Sequence, residues 1–360
     1  MAYFTPVIKM ITSVGDFILL DDIIADIIIW NDDDRTSGNP FIWDAGLFPS
    51  DENFGTIYQG SNTIYGAWKM MYEGPISVKW FGAKADASDD QPEIQAAIDY
   101  GASIQSEVYL PLGIYYVANP LRIIHGLKAF YGPGKLYFSG TAGYLTGFGV
   151  IDFEGGTTPV SNCRLSISEI DANHTANFCI YFEGGNFDNI VHDIVCINIP
   201  ETYVGIQLNF ECHNNIIAYN EIYLFEDASA LTSTAGINVI GDNGTSDDGY
   251  YFENEGVPDE PTIPTYNNMI INNFISGGSH GIQLIGALRN IISGNSCIDQ
   301  SARSIILGQA CFNNFIEYNM CFFFGSSGVN LAFNCHHNII SDNYLYSPFA
   351  AVVIENNISP

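Results

Sequence analysis

In its second half the chain sets short apolar runs between asparagines on a fixed beat. An asparagine, two or three apolar residues and a second asparagine five positions on recur at Asn215/Asn220, Asn268/Asn273, Asn290/Asn295, Asn314/Asn319 and Asn338/Asn343, and the first members of the last four are 22, 24 and 24 residues apart. Each unit carries a further apolar run, reading Gly205-Ile-Gln-Leu208, Gly236-Ile-Asn-Val239, Gly281-Ile-Gln-Leu284, Ser304-Ile-Ile-Leu307 and Gly328-Val-Asn-Leu331. Short runs rich in Ile, Val and Phe, with alternating polar positions and Gly or Asn at their ends, predict strands. At least two strands per unit and no helical period predict coils stacked as a parallel β-helix, because one such unit cannot bury its own apolar face; a leucine-rich repeat would need a Leu consensus that is absent. The asparagines are expected to tolerate left-handed bends at the corners and to hydrogen-bond up the stack as ladders at about 4.8 Å.

The cysteines keep the same register. Cys196, Cys297 and Cys321 each lie seven residues after the first asparagine of their coil (Asn189, Asn290, Asn314), and Cys212, Cys311 and Cys335 each lie three before theirs. Equivalent positions stack in columns, and apolar neighbours mark these as buried thiols rather than bridges. No Cys/His spacing matches a zinc site, Cys335-His336-His337 being too compressed. His213 and His336 share one corner position, which predicts ring stacking.

Charge narrows the partners. Eleven basic residues against 40 acidic ones give a formal charge of −29, which argues against nucleic acid or an anionic membrane as partner and sits poorly with a strongly polyanionic glycan. Lys9 is followed by a segment interrupted by Asp16, Asp21, Asp22 and Asp26, so neither a signal peptide nor a membrane span is expected.

The front third reads differently. Asp90 with Glu93 forms a capping-box pattern, Pro92 suits a first turn, and Ile94, Ala97 and Ile98 make one apolar stripe ending at Gly101. A short helix there, followed by strands at Val108–Leu110 and Ile114–Val117, would cap the open end of the coil stack, as solenoids require. These segments, Trp80-Phe-Gly-Ala83, Asp89-Asp90, Ile94-Gln-Ala-Ala-Ile98 and Leu110-Pro-Leu-Gly113-Ile-Tyr115, resemble the N-terminal signature of the pectate-lyase-like superfamily and are similar in particular to phage tailspike depolymerases. The chain departs from that signature at Ala87, where the family commonly has glycine.

The resemblance implies an all-β, right-handed parallel β-helix with a short capping α-helix and a small β-rich adaptor, assembled as a homotrimer on a virion tail and directed at a host surface polysaccharide. The adaptor is expected around Phe41-Ile-Trp-Asp44, Gly55-Thr-Ile57 and Gly66-Ala-Trp-Lys69. The expected organisation is an arm or particle-binding segment over 1–30, the adaptor over 31–76, the cap over 77–125 and the β-helix over 126–360, with an insertion loop at 241–266. Residues 1–76 would attach to the tail or baseplate.

Aligning coils by their asparagines gives one polar column twelve or thirteen residues after the anchor: Glu201, Asp227 with Glu226 beside it, His280, Arg303 and Ser326. With coils rising about 4.8 Å, Glu201 and Asp227 would stand roughly 5 Å apart, near the spacing of a retaining glycosidase pair, and acids two coils apart would approach the inverting range. Glu201, Asp227 and Glu226 are therefore the candidate catalytic carboxylates, with His280 and Arg303 as substrate-binding groups. The insertion adds Asp247, Asp248, Tyr250 and Tyr251, a mix suited to sugar binding. A polysaccharide lyase would need a basic group beside a uronate, often with calcium, and only Arg122, Arg164, Arg289 and Arg303, with Lys128 and Lys135, lie on cap and coils. Hydrolysis by paired acids is the better reading, against a non-enzymatic spike or a lyase of the same fold. No cofactor is expected, since Asp247-Asp248 lacks a calcium-loop pattern.

Overall fold

The computed structural model describes residues 8–11, 27–30, 39–59, 66–141, 149–154, 157–200, 203–224, 234–241, 263–332 and 334–354. One coil shows how the repeat folds. Met269–Ile271 forms a strand, Asn272 turns the chain, Phe274–Ser276 forms a second strand, Gly277–Ser279 make a corner, and His280–Ile285 forms a third. Each strand pairs in parallel with its equivalent in the coils before and after, giving three faces. Face 1 runs from Ile190–His192 through Ile216–Ala218, Met269–Ile271, Ile291–Ser293 and Phe315–Glu317 to Ile339–Ser341. Face 2 runs from Val195–Ile199 to Tyr344–Tyr346, and face 3 is a nine-stranded sheet from Leu121–Ile123 to Ala350–Ile354. The architecture is the expected right-handed parallel β-helix.

Two asparagine ladders run the length of the corners. Asn215 Nδ2 donates to Asn268 Oδ1 at 3.1 Å, Asn268 to Asn290, Asn290 to Asn314, and Asn314 to Asn338, while Asn220, Asn273, Asn295, Asn319 and Asn343 form the second ladder in the same way. Each Oδ1 also accepts the backbone N–H of the rung below, and each Nδ2 also donates to a carbonyl. The bend lies elsewhere than expected. The left-handed residue is the one before each ladder asparagine: Asn214, Tyr219, Asn267, Asn272, Arg289, Asn313, Tyr318, His337 and Asp342, with φ between 53° and 58°, and Gly294 at 68°. The ladder side chain is free to bond upward because its neighbour takes the strained conformation.

The interior is a set of columns. Ile170, Cys196, Ile222, Ile275, Cys297, Cys321 and Leu345 are successive partners on face 2. All eight cysteines are free thiols, seven of them buried, as their register predicts. The recurrent glycine of face 3 has a packing reason: a Cβ on Gly205, Gly236, Gly281 or Gly328 would stand 2.4 to 3.0 Å from Ile222, Ile275, Cys297 or Leu345 across the core.

Helix α1 (Gln91–Ser103) closes the first coil, burying Ile94, Ala97, Ile98, Gly101 and Ala102. It runs two residues past the expected end. Asp90 makes no capping bond; its carboxylate accepts instead from the Lys84 and Ala85 N–H groups at 2.7 and 3.1 Å, and Asp89 Oδ1 accepts from Gln91 N. Gln95 completes the open edge of face 3, donating to Arg122 O and accepting from Arg122 N at 3.0 and 2.8 Å. An edge strand thus finds its ladder partner in one side-chain amide.

Ahead of the coils, Pro40–Asp44, Ile57–Gln59 and Ala67–Met70 form the expected strands of the small module, in one five-stranded sheet with Ile8–Ile11 and Ile27–Trp30. That sheet spans the boundary expected at residue 30. Its own core is Phe41, Tyr58, Trp68 and Met70, and Tyr72 and Trp80 pack against both this core and that of the coils. Among the described residues no helix is long and apolar enough to cross a membrane.

Candidate functional site

On face 3 the core isoleucine and leucine of each run, such as Ile206 and Leu208 or Ile282 and Leu284, belong to the interior. Side chains alternate along a strand, so the residue between them points out. Strand register lines these up as one outward row: Arg122, Asp152, Tyr181, Gln207, Asn238, Gln283, Ile306 and Asn330. A second row three residues earlier reads Val204, Ala235, His280, Arg303 and Ser327.

Several of these outward groups are buried yet unsatisfied. Asp152 Oδ2, Asn238 Oδ1, both amide atoms of Gln283, His280 Nδ1 and Ser327 Oγ have no hydrogen-bond partner among the described residues, although the five residues are no more than 4% exposed. A buried polar atom without a partner costs about 1–3 kcal/mol, and folded proteins leave few of them. Five such residues along one sheet face leave hydrogen-bonding capacity there that the described residues do not use. His280 is held neutral: burial, then the Arg303 guanidinium, push its imidazole down to about 4.

At the helix end of the row, Asp152 Oδ1 accepts from Gly149 N at 2.6 Å. Burial drives this carboxyl up to about 8 against the pull of that N–H and of Arg122, with Glu183 and Glu154 adding to the rise. Arg122 and Glu154 pair at 3.5 Å with exposed side chains. On the next strand the Tyr181 hydroxyl accepts from Asn209 Nδ2 at 2.9 Å, and Gln207 donates to Asn209 at 3.4 Å.

No protein-family model and no curated protein sequence matches the chain. Solved structures do. The enzymatically active domain of tailspike protein 2 of bacteriophage CBA120 superimposes with a TM-score of 0.59 over 94% of this chain and 56% of that one, at 12% identity. The tailspike of Acinetobacter phage vB_ApiP_P1 gives 0.58 over 90% of this chain and 56% of that one, at 13% identity. A double mutant of the tailspike of E. coli bacteriophage HK620, in complex with pentasaccharide, gives 0.57 over 85% and 64%, at 11% identity.

The fold is that of the phage tailspikes. The chain spans 56% of the CBA120 active domain and 51% of the full-length CBA120 tailspike protein 2. At these identities the likeness carries the fold and none of the tailspikes' site residues.

Within this tailspike fold the sequence-derived column is partly assembled. His280 and Arg303 are register partners, as expected. Their neighbours in the column are Ala235 and Val204 on one side and Ser327, rather than Ser326, on the other. Counting from the asparagine fails on the earlier coils because their corners differ in length. Glu201, Glu226, Asp227, Asp247, Asp248, Tyr250 and Tyr251 lie outside the described residues. The row from Asp152 to Gln283 was missed because the count looked twelve residues past the anchor, before the strand. The polar residue between two core residues in Ile-Asp-Phe, Ile-Asn-Val and Ile-Gln-Leu was the available signal.

The remaining candidates have structural employment. Phe187, His213 and Tyr266 stack at 5.1 and 4.8 Å with rings within 9° of parallel, and Phe312 packs on His336 at 4.0 Å. Rings spent on each other offer edges rather than faces to a sugar. Arg164 and Arg289 lie over Tyr131 and Tyr266. Among the described residues no group of three His, Cys, Asp or Glu side chains is arranged to hold a metal ion.

Proposed function

We propose that this protein is a phage tailspike that binds a host surface polysaccharide along the outer side of face 3 and depolymerises it by glycoside hydrolysis with paired carboxylates. The observation that carries the reading is the line of outward, buried polar atoms with no partner among the described residues: Asp152 Oδ2, Asn238 Oδ1, His280 Nδ1, the Gln283 amide and Ser327 Oγ. A sugar hydroxyl both donates and accepts, as do the amides of Asn238 and Gln283. Uncharged amides and a formal charge of −29 favour a neutral glycan over a polyanionic one. Similar structures include a tailspike in complex with pentasaccharide and an enzymatically active tailspike domain.

The same reading places the protein on the virion tail, with residues 1–76 as the attachment end, and as a homotrimer. Support for the trimer comes from face 1, whose outward column Ile190, Ile216, Met269, Ile291, Phe315 and Ile339 is apolar from end to end. Exposure of such a continuous stripe marks an interaction surface.

The test is release of reducing ends from a panel of purified bacterial O-antigen and capsular polysaccharides. Turnover of one member is expected, with Gln283→Leu weakening its binding about tenfold, the loss of roughly one hydrogen bond. An unsaturated uronate among the products would overturn hydrolysis in favour of elimination. Glu201→Gln and Asp227→Asn belong in the same assay.

A further inference from the structure

The end of face 3 nearest helix α1 holds an acid that no structural role explains. Ile151 and Phe153 are in the core, with Phe153 stacked on Phe182 at 4.1 Å, so Asp152 is the outward member of its strand. One oxygen is engaged by Gly149 N and the other has no partner among the described residues. Burying a carboxyl this way costs stability unless the group is kept neutral. Its surroundings are set by three neighbouring strands: Arg122 from the coil before, Glu154 two residues on, and Tyr181 and Glu183 from the coil after.

Resting on the tailspike reading above, we propose that Asp152 is the proton donor and Glu183 the general base of glycoside hydrolysis on this face. The Phe153–Phe182 register places Glu183 one strand over and two residues along from Asp152. With strands about 4.8 Å apart and about 3.3 Å per residue, the two backbones lie about 8 Å apart on that diagonal, a spacing from which two carboxyls can stand about 6.5 to 9.5 Å apart with a water between them. Three acids converging more tightly would hold a cation, and these do not.

The step balances within the site. The glycosidic carbon–oxygen bond breaks and its oxygen takes the proton from Asp152 Oδ2, the oxygen that Gly149 leaves unengaged. Water forms the new bond to the anomeric carbon and gives its proton to Glu183. Exchange with solvent then returns each group to its starting state. The upward displacement of the Asp152 carboxyl to about 8 keeps the acid loaded at neutral pH, where an ordinary aspartate would have lost its proton. Farther along the same row, Gln207, Asn238 and Gln283 would hold sugar units on one side of the cleaved bond.

The experiment uses the full chain and the polysaccharide from the panel that binds it. Asp152→Asn keeps the acceptor for Gly149 N, so it is expected to fold and to bind within about threefold, yet to lose turnover by on the order of 100-fold or more. Glu183→Gln is expected to lose turnover similarly. Wild-type turnover should fall as pH rises through about 8, and the residual turnover of Asp152→Asn should not. Unchanged turnover in Asp152→Asn, or binding without turnover in the wild type, overturns this assignment and leaves glycan binding standing. Failure to bind any member of the panel overturns both.

Discussion

At Asn267 and Asn268 two identical side chains sit side by side and do different work. Asn267 is left-handed, with φ 56°, and turns the corner; Asn268 is buried and bonds the rungs above and below. Asn268→Ala strands the Asn215 N–H and removes the Asn268 acceptor of the Asn215 side-chain amide, both of which donate to Asn268 Oδ1, so a loss of about 3–5 kcal/mol is expected in urea unfolding. Asn267→Gly should be close to neutral, since glycine meets the same backbone need. Ala87 shows the converse. At φ 71° it occupies a conformation that costs an L-residue about 1–2 kcal/mol, which is the physical reason for the glycine common in the resembling family; Ala87→Gly is expected to raise the thermal midpoint. His280 adds a pH signature. Its folded state resists protonation down to about 4 while the unfolded chain binds a proton near 6.5. Stability from this site is therefore complete above about pH 6.5 and declines by up to about 3 kcal/mol as pH falls to 4. Comparing urea midpoints at pH 7.5 and 4.5 in wild type and His280→Gln should show that decline as the difference between the two proteins' pH slopes.

Among the elements, face 3 carries both the packing and the proposed chemistry, and Asp152 is where the two conflict. Its folded-state pKa is raised to about 8, so folding takes up a proton between about pH 4 and 8, and stability falls across that window as pH rises. Asp152→Asn removes the demand. At pH 7 the variant is expected to be more stable than wild type, by about 4 kcal/mol at most, with the gain gone below pH 4. A rise in thermal midpoint coupled to lost turnover is the mark of a functional group held against stability. Much of this was legible in the chain. The strands, the ladders, the cysteine columns and the helix stripe follow from periodicity, since stacked coils repeat the same burial pattern. Asp152 was not, because no ladder asparagine marks its coil: it lies before Cys163, whose N–H bonds Asn189 at the start of the following coil in the place of a rung. The capping role of Gln95 was equally hidden, being a bond to the backbone of Arg122, 27 residues away.

For the whole molecule, the outward column of face 1 sets an expectation independent of catalysis. Phe315 and Ile339 are 40% and 50% exposed on a stripe that is apolar through all six coils. For the trimer proposed above, replacing both by Asp should leave far-UV circular dichroism intact and shift sedimentation to monomer; an unchanged trimer would place the interface elsewhere. One further property follows from the rungs at Asn215 and Asn268. They bond each other as closely as rungs 22 residues apart, although 53 residues separate them. Closing the longer excursion costs only ~0.8 kcal/mol more than closing the shorter, about the net worth of a single hydrogen bond. The shaft is thus nearly indifferent to how much chain leaves it between two rungs. A lineage could exchange the chain between two rungs for one of quite different length while the corner asparagines stay as they are.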